Sequence, residues 1–120
     1  MKSLLSFRYA FTGIFSCFKA ERNFIIHICF TAIAIFLAAF FNISLLEWVA
    51  LLFCVALVLV AEMINTAIER ICNFVHPGIH PEIKIIKDIA AGAVLIAACI
   101  AFISGGIIFL PKFFHLIRPL

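Results

Sequence analysis

Three stretches of this chain are too long and too apolar for a water-soluble fold. Residues 89–110, IAAGAVLIAACIAFISGGIIFL, run for 22 residues without a charge. Residues 24–41, FIIHICFTAIAIFLAAFF, hold no Asp, Glu, Lys or Arg over 18 residues, and residues 45–61 carry only Glu47. Eighteen helical residues reach about 27 Å, close to the roughly 30 Å of hydrocarbon in a bilayer. Within lipid every backbone N–H and C=O needs an internal partner, so segments of this length are read as helices. A composition of 67% hydrophobic and 12% charged residues excludes a soluble globular domain. The chain therefore reads as an all-α membrane protein, one domain over residues 1–120, with transmembrane helices at 24–41, 45–61 and 89–110. So small a unit has little room to enclose a polar site alone, and self-association is expected.

The breaks between these runs set the organisation. Asn42, Ile43 and Ser44 form a short polar turn, with Glu47 and Trp48 at interface depth. The second helical pattern continues past residue 61 through EMINTAIERICNFV to residue 75, further than a bilayer requires. HPGIHPE (76–82) breaks it, IKIIKD (83–88) reads as a polar turn, and Pro111 is expected to end the third helix, leaving the tail KFFHLIRPL. Ahead of the first crossing, residues 3–20 place Leu4, Phe7, Phe11, Ile14 and Phe18 on one helical stripe. Arg8 and Lys19 make this segment too polar to span, so it is expected to lie in the membrane surface, as an anchor or as a lid over an interfacial site.

Basic residues orient the chain. Lys2, Arg8, Lys19 and Arg22 precede the first crossing and Arg70, Lys84 and Lys87 lie between the second and third, while residues 42–47 have none. The amino terminus and residues 62–88 should face the cytoplasm. The net charge of +3 is too small and scattered for nucleic acid but suits an anionic leaflet or a phosphate-bearing substrate. Cys17, Cys29, Cys54, Cys72 and Cys99 form no CxxC pair and read as buried small hydrophobes.

The acids are distributed unevenly: Glu21, Glu62, Glu69, Glu82 and Asp88 all fall on the expected cytoplasmic side. At 100° per residue, Asn65 lies about 60° and Glu69 about 20° from Glu62 around the helix. One face thus offers carboxylate, amide, carboxylate. A carboxylate costs on the order of 3 kcal/mol at the centre of a membrane helix, less toward the interface, so two on one face require hydration, pairing or use. Glu69 can be solvated or paired with Arg70 or Arg22; taken with Glu21, the set resembles a site for Mg²⁺, which takes a few carboxylates and completes its shell with water and phosphates. Lys87 and Asp88 stand at the entrance of the third helix, Asp88 as a dipole partner and Lys87 as a group able to hold a nucleotide phosphate. His76 and His80 read as turn residues, and His27 as an interhelical hydrogen bonder.

No GxxxxGK[ST] loop, GxGxxG or GxSxG is present. Spacing alone reaches a metal-assisted membrane site. The alternatives are a non-enzymatic ion or proton pathway lined by Glu62 and Glu69, or a structural subunit. The charge-free outer halves of the crossings speak against a pore.

AEMINTAIER (61–70), followed eighteen residues after Glu69 by KDIAAGAV, resembles the signature of the prokaryotic diacylglycerol kinase family of small membrane lipid kinases. SFRYAFTGI, ERNFIIH and SLLEW extend the resemblance over almost the whole chain. It implies a homotrimer in the bacterial cytoplasmic (inner) membrane, with a surface helix, three crossings per protomer, and active sites on the cytoplasmic side built partly between subunits. It further implies ATP-dependent phosphorylation of a lipid alcohol, with Glu62 as catalytic base, Asn65 supporting the catalytic face, and Glu21 and Glu69 holding Mg²⁺ with ATP. Tyr9, Gly78, Ile79, His80, Lys87 and Asp88 match nucleotide-contacting positions, and Lys2 matches a phosphate or substrate contact. ERNF with His27 and the FLPK tail look more like the branch that phosphorylates undecaprenol than the branch that recycles diacylglycerol.

Overall fold

The computed structural model describes residues 2–118, all helix apart from short connections. Four helices follow one another: α1 (Lys2–Ala20), α2 (Arg22–Phe40), α3 (Leu45–Val75) and α4 (Pro81–Ile117). Helices α2, α3 and α4 are each long and apolar enough to cross a membrane, which makes this an all-α membrane protein with three candidate spans. α3 ends at Val75, as its apolar period predicts, and is about 46 Å long at 1.5 Å per residue.

α3 packs chiefly on α4, and less extensively on α2 and α1. Leu51, Val55, Val58, Glu62, Asn65, Glu69 and Cys72 recur at alternating spacings of four and three, and all are buried or half-buried. α4 repeats the pattern with Ile83, Lys87, Ala90, Val94, Ala97, Ala101, Ser104 and Ile108. This is the period of helices packed side by side with interdigitating side chains. Lys87 Nζ donates to Asn73 Oδ1 at 2.7 Å at one end of the pair. At the other, Lys112 Nζ meets Glu47 Oε2 at 2.8 Å, so α3 and α4 run antiparallel.

The α2–α3 turn is locally determined. Asn42 takes φ of 50°, the left-handed conformation that Asn tolerates better than most residues. Asn42 N donates to Ala39 O and Ile43 N to Ala38 O, at 3.4 and 3.2 Å, which satisfies carbonyls that α2 leaves open at its end. Ser44 then caps α3 reciprocally with Glu47: Glu47 N donates to Ser44 Oγ at 3.2 Å and Ser44 N to Glu47 Oε1 at 3.1 Å. Ala38, Ile43, Leu51, Ile108 and Phe109 form the core at this end, with Trp48 packed against it.

Two sequence expectations about α4 are corrected. IKIIKD is not a turn: the helix starts at Pro81, where a missing N–H costs nothing, and His80 Nδ1 accepts from Glu82 N at 3.1 Å as its cap. Nor does Pro111 end the helix, which continues to Ile117; residues 119–120 of the expected tail lie outside the described residues. A proline inside a helix removes one hydrogen bond and costs about 3 kcal/mol in isolation. Here the turns beside it are held by tertiary contacts: Phe41 packs edge-on against Phe113 at 4.9 Å between ring centroids, and Lys112 bonds Glu47. Two of the five cysteines also depart from expectation. Cys17 and Cys72 are buried, but Cys29 and Cys99 are exposed, on sides of α2 and α4 that no other helix of the protomer covers.

The stripe on α1 does not pack inward. Leu4, Phe7 and Phe11 are all more than half exposed, and the helix joins the bundle only through its last turns, where Cys17 is buried and Phe18 meets Phe24 edge-on at 5.0 Å.

Candidate active site

The buried stripe of α3 changes character halfway along. From Leu51 to Val58 it is apolar; from Glu62 to Glu69 it is carboxylate, amide, carboxylate, with no change of face. The packing that buries the first half buries the second, leaving Glu62 2%, Asn65 8% and Thr66 3% exposed. Thr66 Oγ1 is absorbed by its own helix, donating to Glu62 O at 3.0 Å. Asn65 Nδ2 donates to Glu69 Oε1 at 3.5 Å, and Asn65 Oδ1 is buried with no partner.

One group from a neighbouring helix reaches Glu62. His27 Nε2 of α2 lies 3.6 Å from Glu62 Oε2, within ion-pair range but long for a hydrogen bond. Glu21, at the start of α2, makes no side-chain cap bond, and its half-buried carboxyl stands with Glu69 in electrostatic reach of Glu62. Cys17 of α1 lies in the same neighbourhood, in reach of Arg70, Glu21 and Glu62, and burial pushes its thiol up from its ordinary pKa. The ends of α1 and α2 and the polar half of α3 thus converge on one place.

The fold gathers Glu21, Glu62, Asn65 and Glu69, with His27 added. Glu69 is not paired with Arg70 or Arg22; its partner is Asn65. Lys87 stands one helical turn past Glu69 along α3, held by Asn73. Asp88 is not a dipole partner at a helix start, because α4 begins seven residues earlier; it is exposed and paired with Lys84. Gly78, Ile79 and His80 form an exposed loop, Tyr9 is 69% exposed on α1, and Lys2 is exposed at the start of α1. Among the described residues no three His, Cys, Asp or Glu side chains form a ready-made metal cage. Two carboxylates, Glu21 and Glu69, beside an orphaned amide oxygen are a set of hard oxygen donors. They suit Mg²⁺, which binds through one or two carboxylates plus substrate phosphates. The pairing of Lys87 with Asn73 escaped sequence reasoning; its signal was Asn73 four residues past Glu69 on the same helix.

Between α2, α3 and α4 runs an apolar cavity of about 430 Å³. It extends from His27 to Phe109 and Leu110 and is lined by α3 through Leu51, Val55 and Val58, the stripe residues just above Glu62. Thr31 also lines it, but its hydroxyl donates to His27 O at 2.8 Å. A polar cluster therefore adjoins a space suited to hydrocarbon.

Residues 8–109 match the sequence profile described as prokaryotic diacylglycerol kinase. A diacylglycerol kinase of Synechocystis sp. is 41% identical over 115 residues, covering 94% of this chain and 65% of that protein, so the chain spans just under two thirds of that relative's length. An undecaprenol kinase of Bacillus subtilis is 38% identical over 108 residues, covering 89% of this chain and 87% of the relative. A diacylglycerol kinase of Haemophilus influenzae is 34% identical over 106 residues, covering 87% and 89%. With the family profile matched over most of its length and its polar stripe set on a membrane helix, the chain belongs to the prokaryotic diacylglycerol kinase family.

Proposed function

We propose that this protein is an ATP-dependent lipid kinase that transfers the γ-phosphate to the primary hydroxyl of a membrane lipid, undecaprenol in preference to diacylglycerol. The observation that carries the reading is Glu62: a carboxylate 2% exposed where the apolar stripe of α3 turns polar. A buried acid in a membrane helix is expensive and is usually retained for function. Relatives named for both activities support the reaction class, diacylglycerol kinases and an undecaprenol kinase.

Glu62 accepts the proton of the lipid hydroxyl as the alcohol oxygen attacks the γ-phosphorus in line and ADP leaves. Asn65 supports this face: it lies between Glu62 and Glu69, orients Glu69 through its Nδ2, and keeps its Oδ1 free for a ligand. Glu21 and Glu69 would hold Mg²⁺, which would supply neutralisation of phosphate charge. Lys87 is placed to meet a phosphate, and Tyr9, Gly78, Ile79, His80 and Asp88 form the outer nucleotide surface, with Lys2 contacting phosphate or substrate. The site faces the cytoplasm of a bacterial inner membrane, and the functional unit is a homotrimer. The many uncovered large apolar side chains of α1–α4 are consistent with lipid and subunit contacts.

The lean toward undecaprenol rests on the resemblance of ERNF with His27, and of the FLPK tail, to the undecaprenol-phosphorylating branch; the apolar cavity beside His27 suits the tail of either lipid. The test is transfer of labelled γ-phosphate from ATP to undecaprenol and to diacylglycerol, side by side in mixed micelles. Wild-type protein should label both, undecaprenol faster, and Glu62→Gln should lose about 10²–10⁴-fold in turnover while still binding ATP. Substantial turnover by Glu62→Gln would reject Glu62 as the base, and no labelling of either lipid by the wild type would reject the activity.

A further inference from the structure

The geometry points to His27 as the positioning residue for Glu62, set where the apolar cavity meets the buried carboxylate. The inference rests on the reading of Glu62 as proton acceptor and adds a residue to that site.

Three observations converge. First, no hydrogen bond from any described residue reaches the Glu62 carboxylate, although the side chain is 2% exposed; among the described residues the His27 ring, 3.6 Å away, is the one basic group within ion-pair distance. A carboxyl group with no other tether turns freely about its last torsion, and a base must present one oxygen in a defined place. Second, the contact engages one oxygen, Oε2, which leaves Oε1 for an incoming hydroxyl. A catalytic contact is often long before substrate binds and tightens in the reacting complex. Third, His27 also lines the cavity, whereas Glu62 does not. The cavity follows α2 from His27 to Leu37, ten residues or about 15 Å of helix. Its volume of about 430 Å³ falls within the range of small-molecule pockets. A hydrocarbon chain lying along it brings its polar end to His27, and the hydroxyl passes the imidazole to reach Glu62.

In the transfer step the hydroxyl proton goes to Glu62, the alcohol oxygen forms a bond to the γ-phosphorus, and the bond from that phosphorus to the β,γ-bridging oxygen breaks to release ADP. His27 gains and loses no bond. It holds Oε2, so that Oε1 faces the hydroxyl.

The experiment uses full-length protein in mixed micelles with MgATP and, in parallel, undecaprenol or diacylglycerol, comparing His27→Ala, His27→Gln and His27→Phe with wild type. Elution profile and melting temperature report folding for each. His27→Ala and His27→Phe should lower kcat about 10²-fold, with the KM for MgATP within about twofold of wild type. His27→Gln, whose amide N–H still reaches a carboxylate oxygen, should recover most of that loss. A packing role would instead be met by Phe, so a fully active His27→Phe overturns the proposal. So does a His27→Gln as slow as a well-folded His27→Ala, or an effect confined to the KM for MgATP. A wild type that phosphorylates no lipid alcohol refutes the kinase reading itself, whereas an active wild type with an equally active His27→Phe refutes only the role of His27.

Discussion

Asn65 donates from Nδ2 to Glu69 Oε1 at 3.5 Å while its own Oδ1 stays buried and unpartnered. An orphaned buried acceptor costs on the order of 1–3 kcal/mol, so this arrangement is retained at the expense of stability. Asn65→Ala should therefore leave the melting temperature in detergent unchanged or raised, yet lower kcat by about 10²-fold through loss of the amide that orients Glu69. A destabilised but fully active variant would assign Asn65 to structure alone.

Glu21→Gln and Glu69→Gln each remove one negative charge from the pair proposed to hold Mg²⁺. Each should shift the Mg²⁺ titration of activity to higher concentration, by roughly tenfold, because an ion that takes only one or two carboxylates has no spare ligand to substitute. A titration curve that superimposes on wild type for Glu69→Gln removes that residue from the metal site.

The turn end of the bundle should behave as a structural clamp with no influence on catalysis. Lys112→Met breaks a pair in which both side chains are about a quarter to a third exposed. It should cost at most about 1 kcal/mol in denaturant unfolding of the micellar protein. Ser44→Ala removes the reciprocal cap of α3 and should cost about 1 kcal/mol. Both variants should keep wild-type KM for MgATP; a raised KM would mean that this end communicates with the site.

Cys17 provides a pH-dependent probe of the junction of α1, α2 and α3. Burial raises its pKa, so at a given pH less of it is thiolate than of an exposed cysteine. Alkylation by a water-soluble maleimide should accordingly be slow near neutrality in the folded protein and accelerate only at a higher pH than for the same thiol after unfolding. Equal rates folded and unfolded would show that the α1 junction opens freely.

Much of this protein was legible in its residues. Apolar runs of membrane length read as helices, because within lipid a continuous segment satisfies its own backbone hydrogen bonds that way. Glu62, Asn65 and Glu69 share a face because seven residues make almost two full helical turns. The extent of α3 to Val75 followed from the same period. The ends of α4 did not. Proline was read at both positions as a breaker, and at Pro81 that reading ignored its fitness for a first helical turn, while at Pro111 it could not include the Phe41 and Glu47 contacts that hold the helix together.

What the residues determine alone is local and periodic: which segments are helical, which face of each is polar, and which carboxylates lie in line. Depth and partnership are not local. That the polar half of the α3 stripe is buried as deeply as its apolar half, that His27 and not an arginine stands opposite Glu62, and that an apolar cavity ends at that histidine are decided by how α2 and α4 lie on α3. Only packing between helices distant in sequence sets the distance between two side chains, and that distance separates a row of acids from a site.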